Sequence, residues 1–220
     1  MRIWSLAKIK RVTGNFLKNP IAYSSSCIAL LILLIHEKRL GIETHGYSFP
    51  KDNINLYDDA EPYVATSYSR LKKMINYLKL SKEDIFIDLG CGAGRPLFVV
   101  GTQWLKKVIG IEIRKELVDI AKKNLRNLKL NNTPIEIINT NAIAFDIKEG
   151  TVFFMFNPFG KEAFTKVIGN IKKSLVTNPR KIRIVYYNSV YKDLLDSQDW
   201  LVSEEEIDKT DIFVWHSKLN

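Results

Sequence analysis

The strongest constraint in this 220-residue sequence is the stretch Asp88-Leu89-Gly90-Cys91-Gly92-Ala93-Gly94-Arg95, which directly follows the apolar run Ile85-Phe86-Ile87. A short buried strand that gives way to closely spaced glycines and then to a helical pattern is the turn of an open α/β sheet. Glycine lets the backbone turn tightly and approach a ligand with no Cβ in the way. The stretches that follow fit such a sheet. Val108–Glu112, Ile135–Ile138, Thr151–Phe156 and Ile182–Tyr187 are apolar runs of strand length. Between them lie helical stripes, one through Leu117, Ala121, Leu125 and Leu128 and another through Phe164, Val167, Ile168, Ile171 and Leu175. Near-continuous apolar strands alternating with helices predict a parallel sheet covered on both faces. Residues 200–207 and 211–217 flank Asp208-Lys209-Thr210 and predict a terminal antiparallel hairpin.

The loop also discriminates between ligands. A nicotinamide cofactor asks for G-x-G-x-x-G, and the position three past Gly92 is Arg95. The acid at the strand end, Asp88, repels a pyrophosphate and suits a ligand with a cationic amino-acid portion. Glu112, at the tip of the next strand, is placed to accept the two hydroxyls of a ribose. These features favour S-adenosylmethionine.

Residues 63–217 resemble the class I S-adenosylmethionine-dependent methyltransferases. The first motif of that family matches Asp88, Gly90, Cys91, Gly92, Gly94 and Arg95, and its ribose-binding acid matches Glu112, with Ile113 beside it. The adenine-contacting position falls on Asn141, followed by Ala142. The family implies an α/β, Rossmann-like seven-strand sheet of order 3-2-1-4-5-7-6 with its last hairpin antiparallel. A closer likeness, to bacterial members near the Dot1-like and seven-strand lysine methyltransferases, rests on residues 41–46, 62–67, 153–160 and 184–188. It implies that Tyr63 and Thr66 close over the methionine end of the cofactor; Ala65 stands where the usual form has a proline.

Asn157-Pro158-Phe159, ending the fourth apolar strand, resembles the [DNS]-P-P-[YF] motif of amine methyltransferases with one proline missing. The resemblance implies a catalytic role: the Asn157 side-chain oxygen would hold the target nitrogen in line, with the aromatic ring beside it. The other reading of Asn157 is a cap for the helix near Lys161. Tyr187 and Asn188 are further candidates for the same rim. His45 is a candidate base, although a lone histidine is more often a packing residue. Cys91 reads as structural.

The net charge of +9 is unevenly placed. Residues 1–40 hold seven cations against the single acid Glu37, a balance of +6 that leaves +3 for the other 180 residues. A basic arm (residues 1–60) with a linker therefore precedes a domain over 61–220. Two separated cysteines, Cys27 and Cys91, fit a reduced, cytoplasmic chain. No cysteine and histidine cluster has the spacing of a metal site. The run 21–35 includes three serines and is short for a membrane span. It is open to three readings: a helix packed on the domain or a partner, an in-plane membrane contact, or a span. The expected acceptor is a protein lysine or other amine, with nucleic acid second and a non-catalytic, membrane-attached cofactor-binding module third.

Overall fold

The computed structural model describes residues 31–45, 63–204 and 206–218. The boundary drawn near residue 60 and the first ten residues of the apolar run 21–35 lie outside them.

Seven strands form one sheet in the order β3-β2-β1-β4-β5-β7-β6, as the resemblance implies. They are β1 (Ile85–Leu89), β2 (Lys107–Glu112), β3 (Ile135–Asn139), β4 (Val152–Phe156), β5 (Arg183–Tyr187), β6 (Leu201–Ser203) and β7 (Ile212–Ser217). The first five run parallel, while β7 is antiparallel to both β5 and β6. Every residue of β1 is buried, because it is central and covered on both faces.

The pleat divides the core in two. Phe86 of β1 joins Leu71, Met74 and Leu78 from helix α2 (Tyr68–Leu78) and Leu97 and Phe98 from α3 (Arg95–Val100) on one face. Ile85, Ile87 and Leu89 face Phe164, Val167, Ile168 and Ile171 of α5 (Lys161–Thr177) on the other. Helix α4 (Lys115–Asn127) packs beside β2 and β3. The short α6 (Lys192–Asp196) sits before β6. α2 starts where the Ser67 hydroxyl accepts the Arg70 N–H and stops where Lys79 turns left-handed. The helix after the glycine loop is shorter than its apolar pattern suggests. It ends at Val100, with Gly101 as its C-cap and Asn132 donating to the Gly101 carbonyl.

Residues 31–40 are helical (α1) and lie against the domain. Leu40 and Ile42 enter the core beside α2, and His36 stacks on Tyr68 at 4.7 Å. The polar lock of this segment is Glu37, which is 3% exposed. Its Oε1 accepts the Thr44 N–H (2.8 Å), the Thr44 hydroxyl (2.6 Å) and an Arg95 N–H (3.3 Å). Its Oε2 pairs with His45 Nδ1 at 2.5 Å. Arg95, also 3% exposed, donates further to Thr44 Oγ1 (2.7 Å) and the Thr66 carbonyl (2.8 Å) and lies over the Tyr68 ring.

Removing one partner of a buried ion pair strands the other charge. Glu37→Ala is therefore expected to lower stability by about 3–5 kcal/mol. The double change Glu37→Leu with Arg95→Met should recover part of that loss. Denaturant unfolding of the three proteins measures both.

Candidate active site

The chain leaves β1 in one direction to build β2 and β3 and in the other to build β4 and β5. The crevice outside the carboxyl ends of β1 and β4 is where such sheets bind ligands. A cavity of about 320 Å³ opens there, within the size range of small-molecule sites.

Two carboxylates shape its inner wall. The Glu112 Oε2 accepts the Gly92 N–H (2.9 Å) and its Oε1 accepts the Arg114 N–H (2.9 Å). The end of β2 is thus tied to the glycine loop and to the start of α4. Burial pushes the Glu112 carboxyl upward in pKa, against these hydrogen bonds and the Arg114 charge. Asp88 is 1% exposed and lines the cavity, and its Oδ2 has no hydrogen-bond partner among the described residues. Burial, with the Glu112 charge as the second cause, pushes its carboxyl well above the usual range. A buried carboxylate oxygen left without a protein partner suits a cationic or hydrogen-bond-donating ligand.

The glycines act by absence of bulk. A Cβ on Gly90 would lie 2.4 Å from the Pro158 Cβ, and one on Gly92 would lie 2.3 Å from the Tyr63 ring. Both adopt positive φ, 91° and 54°. The loop therefore fits between the Tyr63 segment and the end of β4. Gly94, the N-cap of α3, approaches the Phe98 ring in the same way. Gly92 and Gly94 lie behind the cavity wall, whereas Gly90 and Cys91 line it. Burial, with Asp88 and Glu112 nearby, raises the Cys91 thiol well above its ordinary pKa, so it is held as a neutral packing group against Gly110.

Tyr63, Ala65 and Thr66 form the opposite wall. The Tyr63 hydroxyl donates to the Thr44 carbonyl (2.8 Å), and the Thr66 carbonyl accepts from Arg95. Arg95 borders the cavity, but its guanidinium is engaged by Glu37, Thr44 and Thr66. Toward β3 the cavity is edged by Ile113, Asn141 and Ala142. The Asn141 Oδ1 accepts the Ile143 N–H (2.9 Å), closing an Asx turn.

Asn157, Pro158 and Phe159 line the same cavity at the end of β4, with Phe154 and Phe156 beneath them. Helix α5 is capped by Gly160 with no side-chain bond, so Asn157 is not its cap. Asn157 instead holds φ +40°, and its Oδ1 accepts the Tyr186 hydroxyl at 2.9 Å. Tyr186 thus supports this rim through Asn157, while Tyr187, on the other face of β5, packs a tilted ring against the cavity-lining Phe156 at 4.1 Å; neither tyrosine lines the cavity itself. Asn188 donates its N–H to the Asp211 carbonyl and does not line the cavity. His45 faces Glu37 and also lies outside the cavity wall. The residues missed in sequence reading are Tyr186, Glu37 and Thr44. Each acts through a partner 29 or more positions away, or through a lock that only the fold assembles.

The residues present fit S-adenosylmethionine. Asp88 offers a carboxylate for its ammonium, Glu112 keeps lone pairs for ribose hydroxyls, and Gly90 and Cys91 bring the loop backbone to the cavity edge.

A family model described as "Methyltransferase domain" matches residues 80–202. The chain is 35% identical over 142 residues to a histone H3 lysine-79-specific N-methyltransferase from Dictyostelium discoideum, covering 59% of this chain and 7% of that protein. It is 35% identical over 98 residues to a protein-lysine N-methyltransferase from Saccharolobus islandicus, covering 43% of this chain and 59% of that one. A tRNA (guanine-N(7)-)-methyltransferase from Prochlorococcus marinus is 30% identical over 152 residues, with 60% of this chain and 70% of that one covered. The chain thus spans less than two thirds of the length of the first two relatives.

Asp88→Asn separates ligand binding from stability. With a folded pKa raised above its unfolded value, the Asp88 carboxyl holds its proton more tightly in the native state. Its contribution therefore becomes destabilising as pH rises from the unfolded carboxylate range through the raised folded value. The amide removes that slope. The ligand-free variant is expected to melt about 2–4 °C higher near neutral pH for each kcal/mol gained, while S-adenosylmethionine binds at least about tenfold more weakly. Calorimetric melting and titration of the same preparation check both.

Proposed function

The chain belongs to the class I S-adenosylmethionine-dependent methyltransferases, and on that premise we propose that it N-methylates a protein lysine or a similar amine. The observation that carries the reading is the Asn157 carboxamide. It sits at the β4 end of the cofactor cavity in a left-handed turn and is oriented by the Tyr186 hydroxyl.

Bound S-adenosylmethionine supplies an electrophilic methyl group on a positively charged sulfur. The work of the chain is to hold an amine against it. Asn157 Oδ1 accepts one hydrogen bond from Tyr186 and keeps a second lone pair for an acceptor N–H. Phe154, Phe156 and Phe159 make the surrounding wall apolar. An apolar wall disfavours an ammonium and favours the neutral amine, whose lone pair is the nucleophile. Positioning of this kind is worth up to about 7–11 kcal/mol in favourable cases. With the cofactor bound, the amine lone pair would form the N–C bond as the C–S bond pair goes to sulfur, and the nitrogen, now cationic, would release one of its own protons to solvent. The two lysine-methylating relatives support an amine acceptor. The tRNA-methylating relative supports a nucleic-acid acceptor as the second reading.

Asn157→Ala is expected to bind S-adenosylmethionine normally and to lower kcat by about 10²-fold or more, with Tyr186→Phe intermediate. Incubation with methyl-labelled cofactor and fractionated lysate identifies the acceptor class. Label in lysine after protein hydrolysis agrees with the proposal, and label confined to RNA replaces it with the second reading. Salt dependence of acceptor binding gives a further check, since a phosphate-contacting enzyme loses affinity steeply as salt rises.

A further inference from the structure

Helix α1 carries two stripes of opposite character. Leu33, His36, Glu37 and Leu40, spaced i, i+3, i+4 and i+7, face the domain through the core, the Tyr68 ring and Arg95. Leu31, Leu34, Ile35 and Lys38 repeat that spacing on the outer side, flanked by Ile32 and Arg39, and all six are exposed. The four aliphatic side chains are 58%, 44%, 41% and 56% exposed at Leu31, Ile32, Leu34 and Ile35. Adjacent exposed aliphatics of this kind form a patch that marks an interaction surface.

Two facts select the occupant. The sequence continues the apolar character back through Cys27–Leu30, and residues 1–40 hold seven cations against one acid. An apolar helix face with basic residues at its edge and in its flanking chain has the composition of an interfacial lipid-binding helix. We propose that the outer face of α1 is a docking surface for an anionic lipid bilayer. Leu31, Ile32, Leu34 and Ile35 enter the acyl boundary, and Lys38 and Arg39 meet the headgroups. The inner stripe keeps this contact shallow, because Glu37 is buried against Arg95 within the domain. Among the described residues no helix is long and apolar enough to cross a membrane. The docking surface extends beyond methyl transfer and is independent of the acceptor.

Flotation of the full chain with vesicles of phosphatidylcholine, alone or mixed with phosphatidylglycerol, tests the proposal. Binding is expected to the mixed vesicles, much less to the neutral ones, and to fall with added salt. The double variant Leu31→Ser, Ile35→Ser should lose about tenfold or more of that binding, while its S-adenosylmethionine affinity stays at the parent value. Lys38→Glu with Arg39→Glu supplies an independent loss of binding that leaves the apolar stripe intact. Binding to neither vesicle overturns the proposal. So does a serine variant that binds as well as the parent, which assigns the attraction to charge in the arm alone. A dimer seen by light scattering that the serine variant dissolves, without vesicle binding by the parent, assigns the face to a second copy.

Discussion

A carboxylate of β2 that accepts a backbone N–H from the loop after β1 organises the cofactor crevice. Glu112 bonds to Gly92 on one side and to Arg114 on the other, so one side chain joins the glycine turn, the end of β2 and the start of α4. The turn it pins is one that few sequences tolerate. Gly90 and Gly92 are at positive φ, and each has a neighbouring side chain in the volume a Cβ would fill. Tyr63 and Pro158 occupy those volumes, and they belong to the two remaining walls of the cavity. The absence of side chains at these glycines therefore sets how closely the Tyr63 wall and the β4 edge approach the loop.

The arrangement conflicts with stability. Asp88 and Glu112 line the same crevice, and burial raises the pKa of both. Glu112 is partly offset by backbone donors, whereas the Oδ2 of Asp88 has none. Burial opposes ionisation of Asp88, so a ligand that stabilised its carboxylate would link binding to folding through this residue. Around the crevice the sheet is built of large apolar side chains, Phe86, Phe153, Phe154 and Trp215 among them, and all are fully buried. They supply the stabilisation that such a residue draws on.

What was legible beforehand follows from the range of the forces involved. Buried parallel strands announce themselves locally, and so did all five parallel strands and the glycine turn. Two tyrosines of β5 reach the rim by different routes: Tyr187, the one expected there, packs on Phe156, and Tyr186 bonds to Asn157. Two adjacent tyrosines point to opposite faces of a strand, and a continuous apolar run has no alternation from which to choose. Asn157 itself was ambiguous between cap and rim, because a strand end before a helix supports both. The actual cap, Gly160, lies three residues on and makes no side-chain bond that its type would signal. Arg95 was noticed as the residue that breaks the dinucleotide fingerprint, but its partners were out of reach. Glu37 lies 58 residues earlier and Thr44 lies 51 residues earlier, across the linker.

That long-range lock gives the basic arm a place in the chemistry of the site. Glu37 fixes Arg95 at the first turn of α3 and also receives Thr44, whose carbonyl in turn holds the Tyr63 hydroxyl. Tyr63 packs on Gly92, and Gly92 bonds to Glu112. A continuous path of hydrogen bonds and contacts therefore runs from α1 through Thr44 and Tyr63 to the Glu112 carboxylate. The one helix therefore carries an inner stripe that reaches the wall of the cofactor cavity through Thr44 and Tyr63, and an outer stripe of exposed aliphatic side chains.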